Sequence, residues 1–243
     1  MNTAIIIPAR FASVRLPGKP LIKINNKPII QWVYEKAKLS KLATDVIVAT
    51  DDERIFEAVK EFGGHVKMTS SCHQSGSDRI AEIARENPDM EIIVNVQGDE
   101  PLISPESIDG AINALISDKN ADISTLIREI PEQEKEEILN PNIVKVVTDN
   151  EGKALYFSRA AIPYERVAGE TKFYAHIGLY AYRRESLLKM TELPQTNLEK
   201  AECLEQLRAL QNGMTIKTVV VDYKPIGIDT EEDVEKFKHH IMI

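Results

Sequence analysis

Ile5-Ile6-Ile7-Pro8-Ala9-Arg10-Phe11-Ala12-Ser13-Val14-Arg15-Leu16-Pro17-Gly18-Lys19-Pro20 decides how the rest of the chain is read. The β-branched apolar run is a buried strand, and Pro8, Pro17, Gly18 and Pro20 prevent regular structure from continuing past it. The strand therefore ends in a stiff loop, and the loop is cationic. Arg10, Arg15, Lys19, Lys23 and Lys27 are the only charged side chains before Glu35, so the first 34 residues carry +5, against −8 for all 243 residues and −13 for the other 209. An acid-free cationic loop at a strand end of an acidic protein suits a local polyanion site, with triphosphate the leading candidate. Arg binds phosphate oxygens in pairs, Lys acts as a point charge, and Gly18 lets the backbone approach closely. A Walker loop is excluded, because Pro20 follows Lys19 where Ser or Thr is required, and no Gly-x-Gly-x-x-Gly follows a strand. A solvated loop with scattered cations is the alternative that spacing leaves open.

Composition is that of an ordinary globular chain, 43% hydrophobic and 28% charged, and a single domain spanning 1–243 is expected. No apolar run approaches the ~20 residues of a membrane span and no leader pattern precedes the first strand, so a cytoplasmic location is expected. Cys72 and Cys203 are far apart and lack ligand spacing, which implies neither a disulfide framework nor a zinc site. The acidic balance argues against nucleic acid or anionic membrane as partners, whereas a small anion needs only a local patch.

Taken in order, Pro28–Ser40 reads as a helix with Pro28 in its first position, Asp45–Thr50 as a buried strand, Glu53–Phe62 as a helix stopped by Gly63-Gly64, and His65–Thr69 as a short strand. This alternation predicts an α/β fold, a mostly parallel sheet with helices on both faces. Ser70–Arg79 is small and polar before the helix Ile80–Arg85, which suits either capping or a ligand at a helix N-terminus. Glu91–Gln97 reads as the central strand and runs into Gly98-Asp99-Glu100-Pro101. A carboxylate at the carboxyl end of a buried parallel strand sits where ligands bind in open α/β sheets, and it suits magnesium; a turn Asp after Gly is the alternative.

Pro105–Lys119 then reads as a helix, Ala121–Ile130 as a strand and Pro131–Leu139 as an acidic helix. Around 140–185 the pattern becomes β-rich, with Ile143–Thr148 and Ala154–Ser158 about an Asp149–Gly152 turn, then Phe173–Arg183 holding His176, Tyr180 and Tyr182 on one face. Arg159 and His176 are candidates for a carboxylate of a second substrate, or for structural hydrogen bonding. Asn197–Gln211 reads as one helix with an apolar stripe of Leu198, Ala201, Leu204, Leu207 and Leu210 or Ala209, stopped by Gly213; whether Glu205 and Gln206 face a site or water is open. Thr215–Asp222 is the last strand. Thr230 with Asp233 forms a capping box for the final helix and leaves Asp229 available as a second metal carboxylate.

An ordered set of motifs now stands out: Ile-Pro-Ala-Arg-x-x-Ser-x-Arg-Leu-Pro-Gly-Lys-Pro-Leu at 7–21, Ala-Thr-Asp-Asp at 49–52, Gln-Ser-Gly-Ser-Asp-Arg at 74–79 and Asn-Val-Gln-Gly-Asp-Glu-Pro at 95–101. Asn-Pro-Asn-Ile-Val-Lys-Val-Val at 140–147, Ala-Leu-Tyr-Phe-Ser-Arg-Ala-x-Ile-Pro-Tyr at 154–164, His-Ile-Gly-Leu-Tyr at 176–180, Leu-Glu-Gln-Leu-Arg at 204–208 and Gly-Ile-Asp-Thr-Glu-Glu-Asp at 227–233 complete it. With these, the chain closely resembles the 3-deoxy-manno-octulosonate (Kdo) cytidylyltransferase family of lipopolysaccharide biosynthesis. The first motif alone points only to a glycosyltransferase-A-like nucleotidyltransferase; the later ones point to the Kdo branch.

The resemblance implies a transferase that moves CMP from CTP to Kdo with magnesium, releasing pyrophosphate, and a homodimer with the β-rich insertion at its interface. It implies catalytic roles for Arg10, Lys19, Asp99 and Asp229, and nucleotide contacts from Arg10, Arg15, Lys19, Ser75, Gln97 and Asp99. Asp99 and Asp229 would hold the metal. Gln97, Arg159, His176, Tyr180, Glu205 and Gln206 would line the sugar site, with Arg159 and His176 near its carboxylate. Rival readings are a cytidylyltransferase for 8-amino-Kdo, sialic acid or another acidic sugar, a glycosyltransferase, and a non-catalytic nucleotide-binding regulator. A glycosyltransferase would normally show Asp-x-Asp where this chain has Asp99-Glu100-Pro101, and the presence of Lys19, Asp99 and Asp229 together argues against the regulator.

Overall fold

The computed structural model describes residues 1–12 and 16–241. The chain divides into two compact units, Met1–Asp109 with Pro225–Ile243, and Gly110–Lys224.

In the first unit Thr3–Ala9 lies between Asp45–Thr50 and Ile92–Asn95, and His65–Met68 extends the sheet beyond Asp45–Thr50; all of these pairings are parallel. Ile5, Ile6 and Ile7 are fully buried, as a strand covered on both faces requires. The helices Ile29–Ala37, Glu53–Glu61 and Gly76–Glu86 connect these strands. Pro28 stands just before its helix as an extended N-cap, one position earlier than the sequence reading put it, because it still pairs with Lys23 in a small hairpin. Asn25 and Asn26, both at positive φ, make that hairpin's turn. Gly76–Glu86 starts four residues before the expected Ile80, since Ser75 and Asp78 form a reciprocal capping box. The final helix, Glu231–Ile241, returns to this unit and sets Phe237 edge-on against Trp32 at 5.7 Å between ring centres.

In the second unit Ile123–Glu129 pairs in parallel with Ile216–Val220 and antiparallel with Tyr174–Arg183. Tyr174–Arg183 also pairs with Lys145–Thr148, which forms an antiparallel hairpin with Ala154–Ser158 through the expected 149–152 turn. The mostly parallel α/β expectation holds, and the β-rich stretch lies within this unit. The acidic segment expected as one helix, Pro131–Leu139, is two short helical turns, Glu132–Glu134 and Glu136–Leu139. Among the described residues no helix is long and apolar enough to cross a membrane.

The expected helix Asn197–Gln211 is also two, Asn197–Glu202 and Gln206–Gln211, joined through Cys203 in the left-handed region (φ 52°, ψ 49°). Leucines spaced strictly by three drift about 60° around a helix at each step, so one continuous helix would carry its stripe away from the core. The break lets each half bury its own face, and it leaves Ala201 exposed while Glu199, Gln206 and Arg208 go inside. The Arg208 guanidinium donates through Nε and Nη2 to the Glu199 carboxylate at 2.9 and 2.5 Å, holding the two helices together. Both side chains are buried, so Arg208→Leu should lower the unfolding free energy by about 3 kcal/mol or more, and the double Glu199→Leu/Arg208→Leu change by clearly less. Urea denaturation of both variants measures this, and equal losses would show that the ion pair is not the staple.

Candidate active site

Because Thr3–Ala9 and Ile92–Asn95 are parallel neighbours, the loops that follow them leave the same edge of the sheet. A Cβ on Gly98 would come 3.0 Å from the Pro8 carbonyl oxygen, so glycine is what allows the Gln97-Gly98-Asp99 turn to lie against the end of the first strand. Gly18, at φ 68°, donates its N–H to the Phe11 carbonyl and begins the Lys19–Leu21 turn, aiming Lys19 back toward Asp99. The Ile228 N–H donates to the Asp99 carbonyl, which brings the 225–230 segment alongside. Thr230 and Asp233 make the expected capping box, and Asp229 stands just outside it.

The product of these turns is one cluster. Lys19 Nζ donates to Asp99 Oδ2 at 2.6 Å and to Asp229 Oδ1 at 3.0 Å. Burial alone would depress the Lys19 pKa, but the two carboxylates outweigh it and hold the ammonium above its ordinary value. A cleft of about 390 Å³ opens over this cluster, lined also by Arg10, Gln74, Gly76 and Gln97. Next to it Glu100 is buried, and desolvation with the neighbouring Asp99 charge pushes its carboxyl up to about 8.

Two carboxylate oxygens held on one ammonium form a hard, anionic donor pair of the kind magnesium takes beside substrate phosphates. Magnesium keeps several waters and needs only one or two protein carboxylates. Among the described residues no group of three or more His, Cys, Asp or Glu is placed to hold a metal ion.

Arg10 is held by the 73–75 loop, donating through Nη2 to the carbonyls of His73 (2.6 Å) and Ser75 (3.1 Å). The Ser75 hydroxyl accepts from the Asp78 N–H as the helix cap, so the capping alternative is realised there. Beneath that loop Arg79 is fully buried, with Nη2 on Asp51 at 2.8 Å and Nη1 on the Thr69 hydroxyl. It fixes the loop's base, a role sequence reasoning missed although an arginine four residues before Ile83, on an apolar helix face, was the available signal. The five-cation loop does not act as one patch. Lys27 is paired with Glu35 at 2.7 Å and lies over Trp32, and Lys23 is exposed on the hairpin. Arg15 lies outside the described residues.

The other sugar-site candidates belong to the second unit. Arg159 donates Nε to the Glu202 carbonyl at 2.7 Å and Nη1 to the Pro141 carbonyl at 2.9 Å, while Nη2 has no protein partner among the described residues. The Glu202 carboxylate accepts from the Arg159 backbone N–H and from the Ser158 hydroxyl. His176 lies between Phe157 and Tyr180, ring centres 5.1 and 5.3 Å away, and burial lowers its pKa to about 3, so it is uncharged at neutral pH. Burial, with Tyr182 and Glu205 nearby, keeps the Tyr180 phenol protonated well above its usual range. Gln206 is 6% exposed with no hydrogen-bond partner on Nε2 among the described residues, and Glu205 lies 3.6 Å from Arg208.

Sequence reasoning also missed Lys145, whose buried ammonium donates to the carbonyls of Asn140 (2.8 Å), Ile143 (2.6 Å) and Arg159 (2.7 Å). It ties the hairpin to the residue bearing the Arg159 guanidinium. The signal was a lysine inside the β-branched run 143–148. Lys145→Met would leave three carbonyls short of a donor and should destabilise the protein by about 2–4 kcal/mol. Chemical denaturation measures it, and a loss under about 0.5 kcal/mol would contradict the assignment.

A loop cation facing two loop carboxylates at one end of a parallel sheet suits nucleotidyl transfer. The chain matches the family described as Cytidylyltransferase over residues 4–216, which fixes the class. It is 49% identical to a 3-deoxy-manno-octulosonate cytidylyltransferase of Solibacter usitatus over 95% of this chain and 91% of that protein. It is likewise 49% identical to one of Geobacter metallireducens, over 97% and 96%. A solved structure described as CMP:2-keto-3-deoxy-manno-octonic acid synthetase complexed with CTP matches with a TM-score of 0.95 and 41% identity, covering 100% of this chain and 99% of that one. The chain belongs to the 3-deoxy-manno-octulosonate cytidylyltransferase family.

Proposed function

We propose that this protein transfers CMP from CTP to the anomeric hydroxyl of Kdo, forming CMP-Kdo and pyrophosphate. The observation that carries this reading is the Lys19 ammonium shared by Asp99 and Asp229 in the first unit's cleft, in a chain 49% identical to Kdo cytidylyltransferases. In the reaction the sugar hydroxyl oxygen bonds to the α-phosphorus, and the bond from that phosphorus to the bridging oxygen breaks. Pyrophosphate leaves with the bonding pair, and the hydroxyl proton passes to solvent. No covalent nucleophile is required; the protein positions the partners and balances charge on phosphate oxygens.

Lys19 and Arg10 do this as cations. Both hold protein oxygens in this structure, and an ammonium with three N–H donors and a guanidinium with five have donors beyond those bonds for phosphate oxygens. Gln97 contributes an amide beside them. Magnesium held by Asp99 and Asp229 would supply further neutralisation of the phosphates. Ser75, at the loop that Arg10 grips, is the nucleoside-side candidate. Arg159 supplies the permanent charge for the sugar carboxylate, while His176, Tyr180, Glu205 and Gln206 supply neutral and anionic hydrogen-bonding groups. The family resemblance further favours a homodimer and a cytoplasmic location, and exposed Leu155 and Tyr164 near the hairpin suit the former.

Pyrophosphate release with magnesium should require both CTP and Kdo, with ATP, GTP and UTP giving little. Release only with 8-amino-Kdo or N-acetylneuraminate would move the sugar assignment, and none with any pair would overturn the enzyme reading. Asp99→Asn should abolish turnover in a folded protein; near-normal activity at saturating magnesium would contradict the metal role. Arg159→Ala should raise the KM for Kdo about tenfold or more and leave that for CTP unchanged. The reverse pattern would reassign it to the nucleotide.

A further inference from the structure

Thr125 lies in the Ile123–Glu129 strand, fully buried, with its hydroxyl at the meeting point of three groups. Oγ1 is 2.8 Å from the Leu179 carbonyl oxygen, 3.2 Å from the Ile177 carbonyl oxygen and 2.9 Å from His176 Nε2. These partners converge because the pairing of Tyr174–Arg183 with this strand shifts register between Ile177 and Tyr180, directing both carbonyls at a single side chain.

A threonine hydroxyl has one proton to donate and two lone pairs to accept with, and a carbonyl oxygen only accepts. If the proton pointed to His176 Nε2, the Oγ1 lone pairs would face two carbonyl oxygens at 2.8 and 3.2 Å with no hydrogen between them. The allocation with least repulsion sends the hydroxyl proton to the nearer carbonyl, Leu179, leaves only the longer Ile177 contact without a hydrogen, and makes His176 Nε2–H the donor to Oγ1. A neutral imidazole carries one N–H, so Nδ1 is then bare. Burial keeps the ring neutral, and Nδ1 has no hydrogen-bond partner among the described residues. Phe157 and Tyr180 hold the ring's orientation from two sides.

We propose that Thr125 is a positioning residue that locks His176 in the Nε2–H form, so that His176 presents Nδ1 as an acceptor for a hydroxyl of the sugar and not as a donor to its carboxylate. This rests on the reading of His176 as a sugar-site residue and gives it a chemical role. Arg159 then recognises the carboxylate by charge, while His176 tests for a donor group on the sugar skeleton. A bare nitrogen facing a carboxylate would repel it, so the two residues cannot share that group.

The test is nitrogen NMR of the full-length protein labelled with 15N-histidine, with free Kdo as the probe. The His176 signals should show a protonated Nε2 and a bare Nδ1 from pH 5 to 8, and saturating Kdo should shift Nδ1 in the direction of an accepted hydrogen bond. Thr125→Val should weaken the tautomer preference and raise the KM for Kdo about tenfold with the KM for CTP unchanged, and Thr125→Ser should restore both. A protonated Nδ1, an imidazolium at pH 7, an Nδ1 signal indifferent to Kdo, or an unchanged KM in folded Thr125→Val would each overturn the inference. The wild-type spectrum decides the tautomer even if the valine variant does not fold. Pyrophosphate release by the wild type tests the underlying function separately. Its failure overturns that reading and the sugar role with it, whereas an Nδ1–H ring in an active enzyme overturns only the present inference.

Discussion

The ammonium of Lys19, shared by Asp99 and Asp229, is the interaction on which the first unit's cleft depends. Two carboxylates brought to one point repel each other unless a cation joins them. Here the cation comes from the loop after the first strand, 80 residues before one carboxylate and 210 before the other. The pair's desolvation is thereby offset, and three distant segments meet at one edge of a parallel sheet. Arg10 behaves alike toward the 73–75 carbonyls. Both cations are therefore held on protein oxygens beside the cleft.

The second unit uses the same device with different chemistry. Lys145 is a buried cation satisfied entirely by carbonyls, and with Glu202 it holds the backbone and Nε of Arg159 while Nη2 stays without a protein partner. A permanent charge on a rigid mount suits a planar carboxylate. Elsewhere in this unit burial keeps two groups neutral: His176 does not charge near pH 7, and the Tyr180 phenol does not ionise there.

Much of this was legible in the sequence because short-range chemistry wrote it there. The β-branched runs 5–7 and 46–48 could only be buried strands, and Thr230 with Asp233 set the helix start that leaves Asp229 outside. What was not legible depended on partners far along the chain. The Glu199–Arg208 ion pair that joins the two helices on either side of Cys203 is one such case. Lys27 added to the +5 of the first 34 residues, but Glu35, one helix turn beyond Gln31, neutralises it. Thr125 looked like any β-branched residue in a strand, and its role comes from a register shift in a neighbour about 50 residues away.

The most direct test of the Lys19 cluster is a double-mutant cycle on the calorimetric affinity for CTP with magnesium, using Lys19→Met, Asp99→Asn and the double variant. If the ammonium and the carboxylate work as one unit, the two losses should be strongly non-additive, with a coupling of about 1 kcal/mol or more. Losses that add to within about 0.5 kcal/mol would show that Lys19 and Asp99 act independently, and would contradict the shared-ammonium site.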